Sequence, residues 1–387
     1  MSRVLLGRVI ARIVAAAFSA FLLAASWYAP AAAEETTSTV KLAVVGPTDG
    51  DWAAWGAEMR SGVQLAVDDI NAQGGINGQK IEFHFVGDEG SQQTGRAIAA
   101  KLSKMGVKFV VGHYNSTSSI FAAPIYAKAG VLMISPSTTN PLFTDAGLWN
   151  TFRTSGRDDV QGTFAGEYVA KNFPGQKIAV LHDGTPYGKG LAEKTKASLN
   201  AAGIKETIFS TVRFKGKGLS TLVDKLKSQN IEVVYFGGLA EELGALIRKS
   251  SAAGLEMQFV TGDGAAVGGL AVAAGGGLEG TLMTFSLQDQ ARPNVQGIVE
   301  RLRAKGVAPI AYALKSYAAV QVIAKGAEIA KSNDPRAISS ALRSGKAVPT
   351  ILGELSFDEK GDRREPDVAM YKWQRQPGGN WGFYSMD

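Results

Sequence analysis

The chain has 387 residues, 45% of them hydrophobic and 20% charged, the balance of a globular protein with length enough for two ordinary domains. It has no cysteine, which excludes disulfides, thiol nucleophiles, iron–sulfur clusters and cysteine-ligated zinc. His84, His113 and His182 lie far apart in sequence and lack metal-ligand spacing, so neither a metal nor a cofactor is expected.

Arg3, Arg8 and Arg12 carry the only charges before Glu34. An apolar run from Ile13 to Ser26 follows, and Ala31-Ala32-Ala33 precedes the acidic pair Glu34-Glu35. A basic start, a short apolar stretch and a small-residue cleavage site are the parts of a secretory signal peptide over residues 1–33, cut after Ala33. The stretch is shorter than the about 20 apolar residues that span a bilayer. Losing the leader removes three arginines and no acid, which halves the net charge of +6. With the remaining lysines scattered, nucleic acid is not an expected partner.

After the leader, short apolar runs alternate with helical periodicity. The pattern predicts strands over Val40–Val45, Ile81–Val86, Lys108–Gly112 and Val131–Ser135, with helices over Glu58–Asn71, Ala97–Met105 and Ile120–Lys128 between them. Thr151–Ser155 reads as a first crossover, and the same grammar then resumes. Helices are expected over Val160–Asn172, Gly190–Ala202, Leu219–Gln229 and Glu241–Ala253. The intervening strands are Lys177–Leu181, Thr207–Val212, Val233–Phe236 and Gln258–Thr261. Such alternation with short connections means parallel sheets covered by helices on both faces. The number of elements calls for two doubly wound lobes rather than one sheet. The tail departs from this pattern, with helices over Ile310–Lys331 and Pro335–Leu342, a strand-like Gly353–Asp358, and aromatic strands Val368–Trp373 and Trp381–Tyr384 around Pro377-Gly378-Gly379-Asn380.

The usual catalytic signatures are missing. No G-x-x-x-x-G-K-[ST], G-x-S-x-G or His-Glu-x-x-His occurs, and Gly262-Asp263-Gly264 has Val267 where a dinucleotide fingerprint needs its third glycine. The chain is not expected to be an enzyme; carboxylate catalysis is the lesser alternative.

Open α/β sheets bind ligands at the carboxyl ends of their strands. One such edge is Gly112-His113-Tyr114-Asn115-Ser116-Thr117-Ser118-Ser119, where exposed helix N–H groups and hydroxyls suit a carboxylate. A second is Ser135-Pro136-Ser137-Thr138-Thr139-Asn140, whose hydroxyls serve an anion or an ammonium; capping and turn formation is the competing role for both. Asp263, flanked by glycines after a strand, suits an ammonium. Trp52 and Trp55, in the loop after the first strand, either floor an apolar pocket or cover the sheet, and Tyr187 lies in the turn Asp183–Gly188. An anion site, a cation site and aromatic walls describe a pocket for a zwitterion.

From Thr39 nearly to its end the chain resembles the periplasmic leucine/isoleucine/valine-binding proteins that serve ABC transporters. The resemblance is carried by Lys41–Gly46, by Asp68-Asp69-Ile70-Asn71-Ala72-Gln73-Gly74-Gly75-Ile76-Asn77-Gly78 and by Val110-Val111-Gly112-His113. Leu132–Pro136, Arg153–Asp158, Tyr187–Gly190 and Phe357–Asp362 add to it. It implies an α/β fold of two doubly wound lobes joined by three hinge strands, near Arg153–Ser155, Thr284–Ser286 and Glu365–Asp367. The N-terminal lobe would comprise residues 38–154 and 285–365, and the C-terminal lobe residues 155–284 and 366–387.

The resemblance further implies that Ser116, Ser137 and Thr139 surround an amino acid's carboxylate and ammonium, with Asp263 on the ammonium. Trp55, Tyr114, Asn115, Tyr187 and Tyr312 would line the cleft. Two features depart from close relatives: Gly90 and Asn115 replace a disulfide, and Leu239 stands where a tyrosine hydroxyl would meet the carboxylate. The implied protein is a monomeric, periplasmic solute-binding component that delivers an amino acid or related small carboxylate to an inner-membrane ABC permease. The alternatives are a ligand-sensing module for a receptor and a binder of an aromatic acid or amide.

Overall fold

A computed structural model describes residues 39–212, 214, 218–287, 292–307, 309 and 312–386. The leader expected over residues 1–33 lies outside them, and no helix among the described residues is long and apolar enough to cross a membrane.

Five strands form the first sheet: β1 (Thr39–Gly46), β2 (Lys80–Gly87), β3 (Phe109–Val111), β4 (Leu132–Ser135) and β5 (Thr151–Arg153). They run parallel in the order β2-β1-β3-β4-β5. The next five strands are β6 (Ile178–His182), β7 (Ile208–Thr211), β8 (Val233–Gly237), β9 (Gln258–Thr261) and β10 (Leu282–Phe285). These repeat the same parallel winding as β7-β6-β8-β9-β10. In both sheets the order reverses beside the first strand, the point at which a crevice opens at the strand ends. A small hairpin of β11 (Val348–Thr350) and β12 (Gly353–Leu355) precedes β13 (Ala369–Arg375) and β14 (Trp381–Ser385). The last two strands extend the second sheet antiparallel beyond β10, so that lobe is mixed rather than purely parallel.

Helices cover both faces of each sheet. On one face of the first sheet, Ala53–Ala72 packs against Ala313–Ala330 over Val63, Ala66, Tyr317 and Val320. The two backbones approach closely at Gly62, where a Cβ would lie 2.0 Å from the Ala313 carbonyl oxygen. Helices Gln92–Lys104 and Ser116–Ala129 cover the other face through Ala99, Leu102, Ala122 and Tyr126. In the second lobe, Asp158–Asn172 and Pro186–Ala201 pack as a pair on one face. Ala240–Ala252 and Gly268–Ala274 occupy the other.

The chain passes between the sheets three times: after β5, after β10, and between the bridge Phe357–Arg363 and β13. Buried ion pairs tie the first passage to the third and the third to the helix Ala313–Ala330. Arg153, fully buried, donates Nε to Asp362 Oδ1 at 2.6 Å, and Arg157 donates to the other oxygen of Asp362. Lys315 reaches Asp367 at 2.5 Å. Removing one partner of such a pair strands the other charge, a loss of about 3–5 kcal/mol.

Several helices begin earlier than periodicity predicts, because their first turns are polar or small and are set by caps instead of apolar spacing. Ser91 caps Gln92–Lys104 in a reciprocal box with Thr94. Asn115 caps Ser116–Ala129 through Ser118 N, five residues or so ahead of the apolar pattern. Thr185 caps Pro186–Ala201, so Tyr187 sits in a helical first turn and not in a loop. The glycine-rich helix Gly268–Ala274, the helix Gln296–Ala304 and strand β10 have no predicted counterpart. The long tail helix begins at Ala313; Ile310 and Ala311, at its expected start, lie outside the described residues.

Candidate functional site

The strand tips of the two sheets face one another across a cleft. Its pocket, with about 550 Å³ of empty space out to the mouth, is lined by Tyr114, Asn115 and Ser116 after β3 and by Ser137 and Thr139 after β4. From the other side come Tyr187 after β6, Leu239 after β8 and Asp263 after β9. Tyr312, from the segment before Ala313–Ala330, closes the wall.

The hydroxyls divide by what they already bond. Ser137 Oγ donates to the Tyr114 carbonyl at 2.6 Å, leaving only lone pairs for a ligand. Ser116 Oγ accepts from Asn140 N at 3.3 Å and keeps its proton to donate. Beside it, the N-terminal N–H groups of Ser116–Ala129 add the positive end of the helix dipole. The first lobe therefore presents free donors at Ser116 and only acceptor lone pairs at Ser137. Ser135, Ser119 and Thr138 serve the protein itself: Ser135 accepts from Thr138 N at 2.9 Å, and Ser119 and Thr138 bond each other at 2.5 Å. Ser135 thus has the turn role, while Ser119 and Thr138 join the two edges to each other.

Asp263 supplies the negative charge, held from two sides. Tyr187 donates its hydroxyl to Asp263 Oδ1 at 2.8 Å while accepting from Gly264 N at 2.8 Å. Gln161 Oε1 accepts from Asp263 N at 3.0 Å and from the Thr284 hydroxyl at 2.8 Å. Burial pushes the Asp263 carboxyl above the ordinary carboxylate range, with the Tyr187 and Gln161 bonds opposing it. Burial and the Asp263 charge likewise raise Tyr187, which stays a neutral donor.

Aromatic rings make the apolar wall. Tyr114 packs edge-on to Tyr312 at 5.6 Å, and Trp52 leans on Tyr114 at 6.1 Å. Tyr312 is fixed from behind by Glu58, which accepts from Tyr312 N at 2.9 Å. Trp55 does not share the pocket with the other expected residues. It stacks edge-on behind Tyr312 at 5.0 Å and lines an adjoining recess with Val267 and Val272, while Trp52 takes the place on the pocket wall. Helical phase decides this: Trp52 precedes Ala53–Ala72, and Trp55 lies on that helix's buried side.

Leu239 lies over Gly264, where a Cβ would come within 2.9 Å of Leu239 Cδ2 and of the Tyr187 hydroxyl. It thus presents methyl groups beside the one hydroxyl the second lobe brings to Asp263. At Gly90 an added Cβ would meet Asn115 Nδ2 at 2.3 Å, and that amide donates to the Gly90 carbonyl at 3.0 Å. Gln161 escapes the sequence reading, since it lies within a helix and not at a strand tip, whereas Asn140 entered it only as the end of the second edge. His113 is buried against Asp88 at 2.7 Å and Tyr126 at 3.2 Å, and no metal-binding cluster occurs among the described residues.

Two doubly wound lobes whose strand tips meet across a polar-and-aromatic cleft define a type I periplasmic binding protein. The model of the family described as "Periplasmic binding protein" matches residues 39–380. The chain belongs to this family. It is 45% identical over 337 residues to "Leu/Ile/Val-binding protein homolog 1" of Brucella suis biovar 1, covering 87% of this chain and 91% of that one. Over 371 residues it is 37% identical to the "Leucine-, isoleucine-, valine-, threonine-, and alanine-binding protein" of Pseudomonas aeruginosa, covering 96% of both. A crystal structure of a leucine-binding protein from Thermotoga maritima superposes with a TM-score of 0.80 at 25% identity, covering 89% of this chain and 98% of that one.

Proposed function

We propose that this protein captures an amino acid of the aliphatic class in its interlobe cleft and delivers it to an ABC permease in the inner membrane. The observation that carries this reading is the pairing of ends. Ser116 and the helix N-terminus take the carboxylate, and Ser137, Thr139 and Asp263 take the ammonium. The names of the Brucella and Pseudomonas relatives support the same ligand class.

The N-terminal lobe in this reading is residues 38–154 with 285–365, and the C-terminal lobe is residues 155–284 with 366–387. The three passages between the sheets act as hinges. The ligand docks on the first lobe, and closure brings Asp263 and Tyr187 onto its ammonium. Binding favours the closed form only by its extra affinity for that form, and the permease reads the result. The protein works in the periplasm as a monomer once its leader is removed, and it makes and breaks no bond.

Leu239 favours a second reading, a bulkier apolar carboxylate, because it offers no donor where close relatives place a hydroxyl. A thermal-shift panel of aliphatic amino acids, small amides and aromatic acids separates the two, since a ligand that binds only the native state raises Tm with concentration. Stabilisation by leucine, valine or alanine supports the first reading. Stabilisation by deaminated acids alone supports the second.

A further inference from the structure

Behind Asp263 lies an acid that the binding scheme above leaves unused. Asp158 opens the helix Asp158–Asn172 directly after the first passage between the sheets. It is fully buried, and its carboxylate oxygens accept no well-formed hydrogen bond, with the Thr139 hydroxyl only in weak reach. Its backbone N–H donates to the carbonyl of Thr139, a pocket residue, at 2.9 Å. The pocket hydroxyls of Tyr187 and Tyr312 both feel its charge.

A carboxyl in such a place costs stability unless a cation completes it. The near cation does not. Arg153 turns its donors onto Asp362, the Thr138 and Asn140 carbonyls and the Thr144 hydroxyl. Burial and the charge of Asp263 push the Asp158 carboxyl well above its ordinary range, and Thr139 and Arg153 only partly oppose them. Asp159 on the same helix adds to the upward push, and Tyr235 on β8 faces the same charge.

We infer that Asp158 is a second acid of the amine-binding end: when the lobes close on an amino acid, its carboxylate takes the ammonium together with Asp263. The inference rests on the amino-acid reading above and adds a specificity to it. A ligand with a primary ammonium relieves two buried acids at once, whereas its deaminated analogue relieves neither. The pocket thereby selects amines over equally apolar carboxylates. The hydrogen bond from Asp158 N to Thr139 O places this selection at the first hinge, where the lobes pivot.

The test uses L-leucine and its deaminated analogue 4-methylpentanoate with the mature wild type, Asp158→Asn and Asp158→Glu. Asp158→Asn should weaken L-leucine at least tenfold, leave 4-methylpentanoate unchanged and leave the ligand-free Tm equal or higher. Asp158→Glu should recover part of the L-leucine affinity. On the wild type, calorimetry in buffers of different ionisation heat should show protons released on L-leucine binding. Unchanged L-leucine affinity in Asp158→Asn, or equal losses for both ligands with a lowered Tm, overturns the inference and leaves a structural aspartate. If Asp158→Asn does not fold, the same calorimetry on Asp263→Asn isolates Asp158, and no proton release there overturns the inference. Failure of the wild type to bind L-leucine, L-valine or L-alanine would overturn the amino-acid reading itself, and this inference with it.

Discussion

The side-chain amide of Asn140, in the loop after β4, donates to the backbone carbonyl of Pro186, at the start of the helix after β6, over 2.6 Å. This bond spans the cleft without touching the pocket wall. Gly190 leaves room for it, since a Cβ there would lie 2.8 Å from the same amide nitrogen. Asn140 Oδ1 meanwhile accepts from Leu142 N at 2.9 Å, which fixes the amide's orientation.

In the closure proposed above, Asn140 is expected to act as a latch. Asn140→Ala removes about 0.5–1.5 kcal/mol from the closed form. The expected result is an affinity loss of a few-fold to about tenfold that is equal for every ligand. Calorimetry with two amino acids of different size checks it; a loss confined to one of them would place Asn140 on the ligand instead.

Tyr187 does two jobs with one oxygen, donating to Asp263 and accepting from Gly264 N. Tyr187→Phe leaves both partners without it at a partly buried site, at about 1–3 kcal/mol. Both bonds exist before a ligand arrives, so the ligand-free Tm should fall, and amino-acid affinity should fall about fivefold or more as Asp263 loses its orientation. A fall in Tm without a fall in affinity would assign the pair to folding alone.

Leu239→Tyr restores a hydroxyl at the end of β8. If the carboxylate end lacks a donor, aliphatic α-amino acids should bind about tenfold tighter. No gain would mean that Ser116 and the helix N-terminus already satisfy the carboxylate.

The lobe arrangement was largely legible in the sequence because parallel strands buried on both faces read as continuous apolar runs, such as Leu42–Val45 and Val233–Phe236. The strand tips were legible too, since a ligand edge must follow each run. Helix starts were not: Thr185 and Asn115 set them by caps, which moved Tyr187 from a turn into a helix. Nor was the choice between Trp52 and Trp55, because only the phase of Ala53–Ala72 decides which ring reaches the pocket. Asp158 entered the sequence reading only as the end of the motif Arg153–Asp158; its burial depends on the third dimension. Gly90 stood out only as half of a missing disulfide with Asn115, whereas in the fold the two form a hydrogen bond across the same gap.

Asp88 gives a dependence on pH away from the ligand. Burial raises its carboxyl, but the His113 bond and charge, with the Gly90 N–H and Ser118 hydroxyl, outweigh it and hold the group below its ordinary range. A carboxyl depressed on folding stabilises the protein above the unfolded pKa of about 3.9, and that stability is lost as pH falls further. Asp88→Asn should be less stable than the wild type at pH 7, with the gap narrowing below about pH 4. Urea midpoints across that range measure it, and a constant gap would show that the charge is immaterial.

The account stands on a carboxylate at the end of β9 taking a ligand's ammonium as the lobes meet. Calorimetric titration of wild type and Asp263→Ala with the best amino-acid ligand tests this most directly. At least tenfold weaker binding by the variant, about 1.4 kcal/mol or more, is the predicted result. Equal affinity in a variant that keeps its fold would contradict the account.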